Sequence, residues 1–418
     1  MSARLYIAVM VVAASVSLAR FFFIAFILDP APFGTYATII ASGAFASGLL
    51  SFGEVERTFK AFPRLWVLSR GREAIAETER AGWVLLQRVL FLLPVAVLLC
   101  YAFDIDLELG ICVVGVAFGM SVASLFASLQ RSTTDASALS ISTLKRSVLS
   151  IMFSIWGAMA LGWTGAILGE IIASGLGVLV NRRSVMMLLQ RVPLENKFDA
   201  SLDSNATANN DNGNWVFWGF LGASVPAYLD RSFITVTFGA TVVATYAFLL
   251  LFVAAANTFV GILAQKVGPV LIQMERSGCK PSEQILYIMR WTCLFWLLWF
   301  VGMVVLAMAL VWGPFVYFNE KYQISVYMLP SVVALGCLQI TVILDFLLLS
   351  HDRENFLFVA SCAYLLAAVV AGALTYWLGL SVIGFIWLMA LAKLVHVGTQ
   401  IGLIWLVVAS HANIKDQN

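Results

Sequence analysis

The chain has 418 residues, of which 61% are hydrophobic and 11% charged, and its formal net charge is +2. A soluble globular chain carries roughly 25% charged residues, so this composition excludes a soluble enzyme or a nucleic-acid-binding domain and reads as an all-α polytopic membrane protein. Six cysteines stand singly, with no CxxC pair, which argues against both a disulfide framework and a thiolate metal site.

A membrane-spanning helix needs about 20 apolar residues. In chain order the candidate spans are 5–28, 35–53, 83–103, 109–129, 147–162, 164–181, 215–237, 240–265, 288–312, 325–349, 355–377 and 381–409. The first is too long for a signal-peptide core and lacks a convincing cleavage site, so it reads as an uncleaved span. The fifth and sixth are joined by the shortest turn, at Gly162. Residues 54–82 mix Arg57, Lys60, Arg64, Arg70 and Arg72 with Phe59, Phe62, Leu65 and Trp66. That pattern suits either a helix lying on the membrane surface or an ordinary basic loop. Residues 196–214 are polar and low in complexity, and they read as disordered. Asn205-Ala206-Thr207 within them matches a glycosylation sequon that has no meaning on a cytosolic face.

Charge sets the orientation. Of the 25 Lys and Arg residues, 20 fall in segments that share one side, while the opposite side holds only Lys321 among acidic Asp29, Asp104, Asp106 and Glu108. The positive-inside rule places the basic side and both termini in the cytosol and makes the number of spans even. The opposite-side loops are short, so no extracytoplasmic domain is expected. The organisation is an N-lobe at 1–181, a cytosolic linker at 182–214, a C-lobe at 215–410 and a cytosolic tail at 411–418. The two six-helix lobes are expected to enclose a central cavity.

Four basic residues, Arg20, Arg88, Arg231 and Lys393, remain within or at the edge of apolar helices, where charge is costly. Residues three, four and seven apart share a helical face. Met389, Lys393, His396 and Gln400 therefore form one polar stripe. Ser224, Tyr228, Arg231 and Thr235 form another, with Asp230 beside it and Pro226 as a kink. Further stripes are Cys337, Thr341 and Asp345; Asn257, Gly261 and Gln265; Ala13, Ser17 and Arg20; and Glu170, Ser174 and Gly177. Two readings stand. In one, Glu170, Asp230 and Asp345 neutralise Arg20, Arg231 or Lys393 as structural ion pairs. In the other, these faces line a wet cavity biased toward positive charge and suited to an anionic group such as a phosphate. Ser42, Gly43, Ser47, Gly48, Ser51, Gly115 and Gly119 read as close helix-packing surfaces.

The chemistry of common enzymes is missing. His351 and His411 lie in a loop and the tail, and none of the three histidines has acids at metal-ligand spacing. No Walker motif, GxSxG elbow, HExxH or dinucleotide fingerprint is present. A carrier without cofactors is favoured over an enzyme.

Residues 28–36, LDPAPFGTY, follow an Arg-bearing span and lead into a small-residue helix ending Phe52-Gly53. The second half opens with Leu229-Asp230-Arg231, then Phe238-Gly239, Tyr246, and later Pro269 with Gly278. Both resemble the openings of Wzx-like polysaccharide and O-antigen flippases of the multidrug/oligosaccharidyl-lipid/polysaccharide exporter superfamily. There the first turn commonly reads LGPEEFGLY and the second half LDR…G…Y…P…G; Asp29 and Pro32 depart from that first pattern. The resemblance implies two lobes that pass an undecaprenyl-diphosphate-linked oligosaccharide across the cell inner membrane by alternating access. In that picture Arg20, Arg231, Lys393, His396, Tyr228 and Gln400 face the substrate. Asp230, Asp345 and Glu170 act as counter-charges or coupling sites. Membrane lipids, a glycan polymerase and glycosyltransferases are the implied partners. The rivals are a drug or metabolite antiporter of the same superfamily and a membrane-bound glycan-modifying enzyme.

Overall fold

The computed structural model describes residues 3–51, 54, 58, 71–102, 106–132, 136–190, 213–276, 279, 281–313, 316–324, 326–351 and 353–415. Of the segment 54–82 read as a surface helix or basic loop, residues 71–82 form the start of a long helix, while most of 54–70, the sequon and most of the linker lie outside the described residues. Among the described residues the regular structure is helical throughout, without strands. The helices are α1 (Ala3–Ile27), α2 (Pro30–Ser51), α3 (Gly71–Ala102), α4 (Leu107–Ser132), α5 (Ala136–Gln190), α6 (Gly213–Phe238), α7 (Ala240–Arg276), α8 (Pro281–Trp312), α9 (Val316–Tyr322), α10 (Leu329–Cys337), α11 (Thr341–Ser350), α12 (Glu354–Leu378) and α13 (Val382–Lys415).

Ten helical segments are long and apolar enough to cross a membrane. The segment Leu139–Val180 folds back on itself and supplies two crossings. Helix α6 is long enough at 26 residues but is made less apolar by Asp230 and Arg231. Counted this way, the described residues carry the twelve expected crossings of a multi-pass membrane protein. Several helices outrun their expected spans. Helix α3 begins at Gly71 rather than near residue 83, and α7 continues to Arg276. At 1.5 Å per residue the 32 residues of α3 reach about 48 Å, well beyond the roughly 30 Å hydrocarbon core.

The chain divides into two compact units, Met1–Phe217 and Trp218–Asn418, with the boundary inside α6 rather than in the linker. In the first unit α1 packs along α5, α2 along α4, and α4 against both α3 and α5. Small residues permit the close approaches. A Cβ on Gly43 would stand 2.6 Å from Val116, and one on Gly119 would stand 2.8 Å from Ser174. Ser121 donates to the backbone oxygen of Ser47 at 3.1 Å. Gly48 meets no neighbour, so the packing role expected for it is not seen.

Helix α5 is a helical hairpin. The backbone reverses at Leu161 and Gly162, where Gly162 takes φ 66° and ψ −143°, a region open to a residue without a Cβ. Just beyond the turn, Gly157 and Gly165 touch backbone to backbone, and a Cβ on Gly165 would lie 2.0 Å from the Gly157 carbonyl oxygen. Gly169 meets the Phe153 backbone one step further on. These glycines close the two arms so tightly that side chains from both reach the same polar cluster.

In the second unit α12 pairs with α13, and α7 packs against α10 and α11. A core of Val260, Val267, Phe295, Ile343, Leu347 and Val397 joins α7, α8, α11 and α13. The tenth span is broken: a 3₁₀ turn, Leu338–Ile340, separates α10 from α11. Trp296 and Trp299 on α8 donate their indole N–H groups to the carbonyls of Cys337 and Val333, each at 3.1 Å. Backbone polar groups in a bilayer need internal partners, and these two indoles supply them where the helix loosens.

Gly165→Ala should lower stability by about 1–3 kcal/mol, because the added methyl overpacks the hairpin. Gly398→Ala, at a helical position with no neighbour within 4 Å, should be neutral or slightly stabilising. Thermal unfolding of the two purified variants checks the contrast.

Candidate functional site

The first unit buries one charged cluster at the level where α1, α2 and both arms of α5 meet. Arg20 is 9% exposed and Glu170 is 9% exposed. The Arg20 Nη1 lies 2.6 Å from each carboxylate oxygen of Glu170. It also donates to the Ser150 hydroxyl, which in turn donates to Glu170 Oε2 at 2.6 Å. Tyr36, fully buried, donates its hydroxyl to Glu170 Oε1 at 3.1 Å. The guanidinium sits over the Phe21 ring, 4.5 Å from its centroid. One turn along, the Ser17 and Ser147 hydroxyls approach to 3.5 Å. The carboxylate thus receives three donors, from Arg20, Ser150 and Tyr36. The Arg20 Nε alone is buried without a partner.

The second unit carries two polar groups that Tyr364 links. On α6, Asp230 is 8% exposed and accepts the Tyr246 hydroxyl from α7 at 2.5 Å. It also accepts the backbone N–H of Arg231 at 2.7 Å. The Arg231 guanidinium makes no hydrogen bond or ion pair among the described residues, and its Nε is buried. Tyr228 lies one turn earlier on α6 and within electrostatic reach of Arg231.

The other group lies on α11, α12 and α13. Lys393 Nζ stands 3.3 Å from His396 Nδ1 and 4.8 Å from the Tyr364 ring centroid. With Lys393 as an ammonium, which only donates, His396 Nδ1 is the acceptor of this contact. Tyr364 stacks on that imidazole at 5.1 Å, with 6° between the planes. Gln400, fully buried, donates Nε2 to Asp345 Oδ1 at 2.6 Å, while its Oε1 has no partner. Asp345 is within electrostatic range of Lys393, and Asp230 within range of Tyr364.

The nine residues singled out from the sequence thus fall into two sets. Arg20 and Glu170 meet in the first unit. Asp230, Arg231, Tyr228, Asp345, Lys393, His396 and Gln400 gather in the second. The ion-pair reading describes Arg20 and Glu170 geometrically, and it does not describe Arg231. Three participants escaped sequence reasoning. Tyr364 sits in an apolar run without a polar stripe of its own. Ser147 and Ser150 open the span expected at 147–162, three residues apart on one helical face, and were not singled out. Cys337 and Thr341 lie along the helix break, with Asp345 one turn beyond it. Gln265 is not described at the side-chain level, so the stripe through Asn257 and Gly261 is left at the backbone. Among the described residues no group of three His, Cys, Asp or Glu side chains is placed to hold a metal ion.

No family model matches the sequence, and no curated protein matches it in sequence. Solved structures do match in shape. An inward-facing multidrug resistance MATE family transporter of the MOP superfamily aligns with a TM-score of 0.65 at 13% identity, over 96% of this chain and 98% of that one. A MATE protein in complex with MaL6 aligns with a TM-score of 0.65 at 10% identity, over 97% and 95%. A MOP superfamily transporter from Pyrococcus furiosus, whose binding pocket is described as reversed in polarity and suggestive of a different function, aligns at 0.62 with 13% identity, over 97% and 94%. The chain has the MATE transporter fold. At these identities the likeness establishes the fold and leaves the cargo to the site.

Glu170→Leu leaves Arg20 buried and unpaired, and should cost about 3–5 kcal/mol. The double variant Arg20→Met with Glu170→Leu should recover most of that loss. Thermal unfolding of the single and double variants in one detergent decides it; equal losses would mean the pair does not act as a unit.

Proposed function

We propose that the chain is a secondary carrier that moves a lipid-linked oligosaccharide, joined to its polyprenyl anchor through a diphosphate, across the cytoplasmic membrane. The observation that carries the reading is Arg231, a guanidinium within a membrane-spanning helix that makes no hydrogen bond or ion pair among the described residues. An intramembrane cation that its neighbouring acid, Asp230, reaches electrostatically but does not pair with is costly unless water or an anionic cargo reaches it. A diphosphate suits a guanidinium in geometry and charge. The transporter fold and the flippase-like openings of both halves support the same assignment. Alternating access between a cytosolic and an external opening would carry the headgroup, with the termini in the cytosol.

In this reading Arg231, Arg20 and Lys393 set the positive bias, while His396, Tyr228 and Gln400 supply neutral polar contacts. Asp230, Asp345 and Glu170 hold those cations in register. Asp345 has a second use, because a proton or cation arriving between it and the unpartnered Gln400 Oε1 would release Lys393 from its nearby negative charge. Polymerase and glycosyltransferases acting on the same glycan are the natural neighbours of such a carrier.

A second reading is a drug or metabolite antiporter. It is favoured by the similar solved structures that are multidrug transporters. The two separate in one experiment. Deleting the gene in its host should make lipid-linked sugar accumulate in the cytosolic leaflet, and the wild-type gene should clear it. Arg231→Ala, inserted and stable, should clear it at least tenfold more slowly, as should Arg20→Ala if it reaches the membrane. No accumulation, with altered drug susceptibility instead, would replace the flippase by the antiporter. Full clearance by both variants would remove the arginines from the mechanism.

A further inference from the structure

The first unit contains a cavity of about 190 Å³ that none of the residues above explains. It lies among α1, α4 and the two arms of α5, and Met10, Ser124, Gln130, Thr143, Arg146 and Ser174 line it. The remaining wall is apolar or small apart from Ser142, and among the described residues no carboxylate borders it. Arg146 decides its character. It stands ten residues into α5, about 15 Å along the helix, and inside the candidate span Leu139–Val180. Its stem packs on Gly177, where a Cβ would meet Arg146 Cγ at 3.3 Å. That contact leads the side chain along the second arm of the hairpin.

Its charge is not cancelled. Arg20 is tied to Glu170 at 2.6 Å. Arg80 pairs with Glu54 and Glu77 at 2.6 and 3.0 Å, and Arg88 donates to the Leu50 carbonyl and lies 3.7 Å from Glu54. Arg146, whose side chain is exposed at the cavity wall, makes no hydrogen bond or ion pair among the described residues. It is within electrostatic reach of Arg20 and Glu170, which are neutral as a pair, so among the described residues Arg146 leaves the cavity wall positively charged. A water occupies about 30 Å³ of liquid volume, so the space admits a group several times larger.

We propose that this cavity is a binding site for a phosphate or diphosphate group, with Arg146 as its cation and the Ser124 and Ser174 hydroxyls of the wall as neutral donors. The guanidinium fork grips such a group through two parallel N–H bonds. The group is either the headgroup of a lipid-borne cargo or a free anion from the water. The inference deepens the carrier reading and rests on it for its biological role, though its test does not. The site belongs to the first bundle alone and lies one to two helical turns from the Arg20 cluster, toward the N-terminal end of α1.

The test uses the full chain purified in dodecyl maltoside, with farnesyl diphosphate, inorganic diphosphate and farnesol as probes and thermal unfolding as the readout. Farnesyl diphosphate should raise the Tm of the wild type and of Arg146→Lys. Its apparent affinity should fall at least tenfold in Arg146→Gln. Farnesol, which lacks the anion, should do nothing. Ala127→Leu, which fills the cavity from its wall and leaves the charge in place, should lose the shift as well, and it keeps the test decisive should Arg146→Gln fail to fold. Inorganic diphosphate binding as tightly as the farnesyl form supports the site with a free anion as its source; binding of the lipid form alone supports the site with a headgroup. Unchanged affinity in both Arg146→Gln and Ala127→Leu, or no shift of the wild type with either diphosphate, overturns the proposal. Loss of glycan clearance in cells, with probe binding intact, would count against the carrier reading and leave the pocket standing.

Discussion

A charge inside a bilayer must be solvated by protein, by water or by cargo, and each of the two units answers that demand in its own way. In the first, the Arg20–Glu170 pair is the fixed point. Its partners come from α1, α2 and both arms of α5, so the pair can exist only where four helical segments are already packed. The glycine contacts of the hairpin bring Ser150 and Glu170 to the same level, and the pair then welds α1 to that hairpin. Burial makes the arrangement exacting, because deleting one partner strands the other in a medium that cannot solvate it.

The second unit repeats the device with different wiring. A fully buried tyrosine from the second helix of each unit, Tyr36 or Tyr246, donates to a buried carboxylate. In the first unit the carboxylate also meets a guanidinium. In the second, Asp230 takes a backbone N–H instead, and Arg231 beside it is left to find another partner. The Lys393 ammonium is spread over the Tyr364 ring and the His396 imidazole rather than locked to Asp345. The first unit thus closes its buried charges as an ion pair, Arg20 with Glu170. The second holds its charges on softer, more polarisable contacts, an arrangement better suited to a change of protonation or ligand.

Much of this architecture was legible from residues alone. Apolar runs of the right length and the distribution of Lys and Arg define the crossings, because both follow from bilayer thickness and from the cost of moving basic loops across it. Even the hairpin at Gly162 was marked by its glycine, although its tightness depends on Gly157 and Gly165 meeting in space. Pairing was not legible. Arg20 and Glu170 are 150 residues apart in sequence, and no local spacing says which of three acids a buried cation will meet. Arg146 was counted among the loop residues that orient the chain, since a tally of basic residues treats an arginine near a span end as solvated. Only the helix that begins at Ala136 places it in a membrane-length segment, at the wall of a cavity. Tyr364 carried no signal because a tyrosine in an apolar run looks like packing until its ring is seen under an ammonium.

The proposed carrier function rests on Arg231 and Arg146, cations in membrane-length helices that make no ion pair among the described residues. Its most direct test is leaflet exchange in proteoliposomes that contain only this chain and a fluorescent polyprenyl diphosphate sugar, quenched from outside by a membrane-impermeant reductant. The account predicts that the protein exposes the inner-leaflet pool to quenching, and that excess unlabelled diphosphate lipid slows the exchange. Protection equal to that of protein-free vesicles, with the chain folded and inserted, would contradict it.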